Sequence, residues 1–138
     1  MTARLFELQA GDSLPELVID VSAKLIVGGA IATRDYQDVH HDKARAQELG
    51  SPDIFMNILT TNGLVGRYIT DWAGPGARLK NIAIRLGAPN YPGDEMVLSG
   101  EVQEVDADSG VVEVAVVGRN QLGDHVTGTV SVELRSPQ

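Results

Sequence analysis

One stretch, residues 53–72, restricts the fold more than any other. Ser51, Pro52 and Asp53 read as a helix start. Ile54, Phe55, Ile58, Leu59, Val65 and Ile69 then recur at helical spacing and keep one face apolar. Leu64 and Tyr68 carry the apolar surface onto a second face, so the spacing predicts a long helix buried on most sides. At 1.5 Å per residue, about twenty residues make a rod of about 30 Å. Gly63 and Gly66 each cost about 1 kcal/mol against Ala inside such a helix. Their presence predicts that another element approaches the rod closely. Gly74, Pro75 and Gly76 end it. A rod this apolar needs a covering layer with an apolar face of its own.

The rest of the chain supplies that layer by alternation. Ile82, Ile84 and Leu86 share one strand face, and Met96, Leu98 and Val102 share another. Val112, Val114 and Val116 follow the turn 106–110. In the last strand Val126, Val130, Val132 and Leu134 point one way, while Thr127, Thr129, Ser131 and Glu133 point the other. An earlier strand is predicted over 14–21, with Pro15 at its edge. Ser22 caps a short helix over 23–33, and Asp42 caps another that ends at Gly50. About five antiparallel strands and one long helix give an α+β class: a curved sheet wrapped around the helix. With 138 residues and no linker or repeat, the pattern reads as one domain over 1–138.

Composition excludes several function classes. Cysteine is absent, which rules out thiolate metal sites, disulfides and cysteine nucleophiles in this chain. The formal net charge is −8, a poor match to nucleic acid or to an anionic membrane. The opening residues MTARLFELQAGD hold no apolar stretch of signal-peptide length. The longest weakly polar run, 25–32, is too short to cross a bilayer. The expectation is a cytoplasmic protein.

The histidines are His40, His41 and His125. Two lie in the polar, non-periodic segment RDYQDVHH, together with Asp35 and Asp38. A loop can bring Asp35 and His40 to one point, where a carboxylate and an imidazole can hold a single water and exchange protons with it. The same spacing also fits a solvated loop with Asp35 in a turn and His40 bonded to backbone. His41 reads as a loop-packing residue and His125, at the start of the last strand, as structural. Asp53 reads as a helix N-cap. No metal site is expected from Asp35, His40 and His41.

The segment from Arg34 to Ala77 resembles the hydratase signature of the MaoC-like, R-specific enoyl-CoA hydratases, which have the hot-dog fold. That signature is an Asp, four residues, then His, followed by Asp and a Gly-containing turn into the long helix. Asp35, His40, Asp42 and Gly50 stand at the matching positions. Tyr91-Pro92-Gly93-Asp94 and Asn120-Gln121-Leu122-Gly123 match two of the family's turns, and the likeness runs over about 12–135. Two positions depart from the usual Gly-Asp-x-Asn-Pro-x-His loop: Gln37 replaces the Asn and Asp38 the Pro. Asn57 and Ile58 replace a usual His-Gly at the helix start. Within the family, ATRDYQDVHHD, DIFMNILT and YITDWAGP are similar to the small subunit of heteromeric hydratases of bacterial steroid side-chain degradation.

The resemblance implies hydration of a trans-2-enoyl-CoA to a 3-hydroxyacyl-CoA. It makes Asp35 and His40 the catalytic pair. His40 would take the proton of water as hydroxide adds to C3, with Asp35 helping to protonate C2, and the two roles are interchangeable at this level. Backbone N–H groups of Asn57 and Ile58 would hold the thioester oxygen. Arg78, Lys80 and Arg119 are candidates for the CoA phosphates. No cofactor is implied, because CoA is part of the substrate. The implied partner is a second MaoC-like chain in a heterotetramer, bridged in that branch to a thiolase-like aldolase. The alternatives are an acyl-CoA thioesterase using Asp53 or Asn57, and a non-catalytic partner subunit.

Overall fold

Alternating side chains build five strands whose apolar faces point to one side. The computed structural model describes residues 3–134. The strands are β1 (Ser13–Asp20), β2 (Arg78–Leu86), β3 (Glu95–Val105), β4 (Val111–Asn120) and β5 (Gly123–Glu133). They form one antiparallel sheet in the order β1-β3-β4-β5-β2. Among the described residues three α-helices accompany it: α1 (Ala23–Ala32), α2 (Lys43–Glu48) and α3 (Ile58–Ala73). Val65, Tyr68, Ile69 and Trp72 of α3 pack with Met96, Leu98, Val112, Val114, Val116, Val130 and Val132 of the sheet. Each such buried side chain contributes about 1.5–3 kcal/mol. This is the α+β arrangement expected from the alternation and the long helix, and it is the hot-dog fold that the resemblance implies.

The expected caps are present at the two shorter helices. Ser22 Oγ accepts from Leu25 N–H, and an Asp42 carboxylate oxygen accepts from Arg45 N–H.

The long helix departs from expectation in three ways. It begins at Ile58, five residues later than the periodicity predicts. Residues 54–57 run as a largely buried, non-helical segment whose backbone is used elsewhere: Phe55 N–H donates to Val39 O and Met56 N–H to Asn90 O. The N-cap is therefore Asn57 and not Asp53, whose carboxylate accepts from Ile54 N–H and lies 3.7 Å from Lys43 Nζ. Second, Ile58 and Leu59 are about half exposed, and Gly63, Arg67, Thr70 and Asp71 face outward, so the helix is buried along one side. Third, Gly63 has open space around it, and a methyl group at Gly66 would meet Ile82 of β2 at ordinary contact distance. The close approach falls instead at Gly29 of α1, where a methyl group would overlap the Thr60 hydroxyl of α3.

Helix α1 ends in a way that aims the loop after it. Arg34 adopts φ 56°, the left-handed conformation usually given to glycine. Arg34 N–H donates to Ile31 O and Asp35 N–H to Ala30 O, the paired bonds of a Schellman turn. A side chain in this region costs about 1–2 kcal/mol, and the turn delivers Asp35 beside the start of α3.

Candidate active site

Four segments converge on one polar cluster. The Schellman turn supplies Asp35, a short 3₁₀ turn at Asp38–His40 supplies His40, the non-helical segment before α3 supplies Phe55, and the α3 cap supplies Asn57. His40 is buried, and its Nε2 lies 3.3 Å from Asp35 Oδ2. Its Nδ1–H donates to Phe55 O at 2.6 Å, and the two rings meet edge to face at 5.0 Å. Both ring nitrogens thus face oxygen acceptors, a set satisfied in full when both carry protons.

Asn57 serves two structures at once. Its Oδ1 accepts from Thr60 N–H at 2.9 Å and caps α3. Its Nδ2 donates to Asp35 Oδ2 at 3.1 Å and to Thr33 Oγ1 at 3.0 Å. Gln37 N–H donates to the other Asp35 oxygen. The Asn57 bond, the Gln37 bond and the neighbouring histidines hold the Asp35 carboxyl below its ordinary value of 3.8, against the opposing effect of burial. Asp35 is therefore a carboxylate at neutral pH. His41 packs the loop: its Nε2–H donates to Asp35 O at 2.7 Å and its ring stacks on Tyr36.

A cavity of about 300 Å³ opens beside this cluster, lined by His40, Phe55 to Ile58, Leu86 to Pro89 and His125. The N–H groups of Asn57, Ile58 and Leu59 have no acceptor among the described residues. They are the unsatisfied donors at the positive end of the α3 dipole. The grooves along Pro15 and Trp72 hold no histidine.

The structure brings Asp35, His40, Asn57 and Ile58 together. It leaves Arg78 and Lys80 apart. They sit at the start of β2, six to eight residues from the cavity-lining Leu86, or about 20–26 Å along a strand. Lys80 Nζ lies 3.6 Å from Glu133. Arg119 is at the near end of the sheet, where its Nε donates to Asp124 at 2.7 Å. Asp53 does not line the cavity. His125, read from the sequence as structural, does, and only the pairing of β5 with β2 and β4 could have placed it there. Among the described residues no group of three His, Asp or Glu side chains is placed to hold a metal ion, and no helix is long and apolar enough to cross a membrane.

The fold and the Asp–His cluster coincide with a family match. Residues 11–133 match the MaoC like domain, and the chain belongs to that family. It is 55% identical over 125 residues to the 3-oxo-4,17-pregnadiene-20-carboxyl-CoA hydratase beta subunit of Mycobacterium tuberculosis, covering 91% of this chain and 95% of the relative. It also matches a chain in the crystal structure of the ChsH1–ChsH2 complex from Mycobacterium tuberculosis, with a TM-score of 0.88 and 54% identity over 92% of this chain and 98% of that one. The (R)-hydratase from A. caviae involved in PHA biosynthesis shares the fold, with a TM-score of 0.86 at 21% identity over 94% of this chain and 98% of that one.

Proposed function

We propose that this chain is the catalytic subunit of a heteromeric hydratase that adds water across a trans-2-enoyl-CoA, with a steroid side-chain thioester as substrate. The observation that carries the proposal is the Asp35–His40 pair at 3.3 Å, beside a cavity lined by Asn57 and Ile58, two residues whose N–H groups have no acceptor among the described residues. The relative's name supplies the substrate class.

A water touching both Asp35 Oδ2 and His40 Nε2 attacks C3. Of the two role assignments left open by the sequence, the geometry favours the exchanged one. The Asp35 carboxylate takes a proton as the water O–H bond breaks and the C3–O bond forms. The double-bond electrons move onto the thioester oxygen, held by the Asn57 and Ile58 N–H groups. His40 Nε2–H then protonates C2 as the carbonyl re-forms. Proton transfer from Asp35 to His40 across the pair restores the starting state. Both groups act from one side, so addition is syn. Each acid–base role is worth about 10²- to 10⁴-fold, and losing one oxyanion donor costs about 10²- to 10³-fold.

A cavity of about 300 Å³ lies at the low end for a small-molecule site. A polycyclic acyl group needs further room, which a second MaoC-like chain in a heterotetramer would provide. Exposed Ile31, Ile58, Leu59 and Leu86 and the open edge of β2 suit such a partner. Bridging of that partner to a thiolase-like aldolase, and a cytoplasmic location, belong to the same proposal. CoA enters as part of the substrate, with Arg119 the candidate cation nearest the cavity. The thioesterase reading loses ground because Asp53 is tied to Lys43 and the Asn57 side chain to Thr60, Thr33 and Asp35.

The test is loss of the enoyl-thioester absorbance band on mixing enoyl-CoA substrates with the chain, alone and with its partner, beside a His40→Ala control. Loss of the band that depends on His40 and releases no thiol is the expected result. No change with any enoyl-CoA, partner present, would sink the hydratase reading.

A further inference from the structure

His125 is buried to 2% exposure, lines the cavity and has no part in the chemistry above. Both of its nitrogens are engaged, and they reach two different elements. Nδ1 lies 2.7 Å from Ala88 O, an acceptor only, so this nitrogen carries the proton and donates. Nε2 then accepts from the Thr61 hydroxyl at 2.8 Å. Burial pushes the His125 pKa down, consistent with this neutral form. Thr61 lies fully buried in the first turn of α3, and its Oγ1 is also 3.4 Å from Asn57 O. Ala88 belongs to the stretch after β2 that lines the cavity with that first turn.

We propose that His125 is a positioning residue for the hydration: a neutral imidazole strut that sets the separation between the α3 start, with its oxyanion donors, and the Gly87–Pro89 stretch. This rests on the hydratase reading. The strut fits its place because an imidazole offers one donor and one acceptor on opposite edges of a rigid ring. Its Thr61 end reaches, through the backbone, the cap residue that also orients Asp35: Thr61 N–H donates to Asn57 O. Without it the thioester oxygen and the Ile58 N–H lose register while both remain present. The expected loss is about tenfold, below the 10²- to 10³-fold of removing a donor outright.

The test uses Thr61→Val, Thr61→Ser and His125→Asn in the full chain with its partner. His125→Asn keeps a donor for Ala88 O and drops the Thr61 bond. The expected result is a kcat lowered about tenfold in Thr61→Val and in His125→Asn, with KM within about twofold. The double variant should be no worse than either single, and Thr61→Ser should restore kcat. A purely packing role predicts lowered melting temperature with kcat retained, and that result overturns the strut. A second readout is independent of turnover: ¹H–¹⁵N spectra with the label confined to this chain. Shifted Ile58 and Leu59 amides in Thr61→Val support the strut, and unmoved amides overturn it. If the wild type turns over no enoyl-CoA, the hydratase reading fails, and the amide shifts alone decide whether the strut exists.

Discussion

Two histidines line one cavity and differ in what their second nitrogen meets. His40 has Nδ1 anchored to a backbone carbonyl and Nε2 turned to a carboxylate that itself titrates. His125 has Nδ1 anchored in the same manner, but its Nε2 is closed off by a threonine hydroxyl. The first ring sits where a proton can enter and leave. The second sits where none has anywhere to go. The residue type is therefore a poor guide to role, and the partner of the far nitrogen is a good one.

The largest effect that would break this contrast is on the His40 side. Asp35→Asn keeps the shape and removes the base, so turnover should fall about 10²- to 10⁴-fold, with a modest fall in melting temperature from the lost carboxylate. Steady-state hydration kinetics beside thermal unfolding check both parts. A smaller effect is expected from Gly29→Ala, whose methyl group would push α1 from Thr60 and carry the Asp35 turn with it. Overpacking of this kind costs about 1–3 kcal/mol, readable by urea denaturation, and kcat should fall alongside. Asn57→Ala should cost about 1 kcal/mol as a lost cap. It also removes the main bond that lowers the Asp35 pKa, so the acid limb of kcat/KM should move to higher pH.

The smallest effect sharpens the comparison through pH. His125 titrates below its ordinary 6.5 in the folded chain, so the unfolded chain takes up its proton first as pH falls. The stability it contributes is present above about 6.5 and is lost as pH drops towards the folded value. Asp35, also lowered, contributes stability above its ordinary 3.8 that is lost only in more acid solution. Denaturation series between pH 7.5 and 5 should show a slope that His125→Gln flattens and that Asp35→Asn leaves in place.

Residues 76–134 were legible as strands because one face of each is apolar and the other polar, a pattern independent of neighbours. Ser22 and Asp42 were legible as caps because a cap acts within three residues. Asp35 and His40 were legible as a pair only through the resemblance of the motif around them, because their spacing alone fits a solvated loop as well. The start of α3 was not, because helical periodicity continues through 54–57 while the backbone there bonds to Val39 and Asn90. Arg78 and Lys80 looked available for an anionic ligand, yet the length of β2 holds them far from the cavity.

From its sequence alone this chain determined its strands, its two short caps, the absence of thiol chemistry and the residues able to exchange protons. Those properties are local, set by alternation, by hydrogen bonds within a turn and by the side chains present. The tertiary structure decided that Asn57 and not Asp53 caps α3 and orients Asp35, which nitrogen of His40 meets the carboxylate, and that His125 braces the same cavity. Each of these depends on a bond between residues 15 to 64 positions apart, here His40 to Phe55 and Thr61 to His125. No local pattern encodes such a bond, because it exists only once the sheet has closed around the helix.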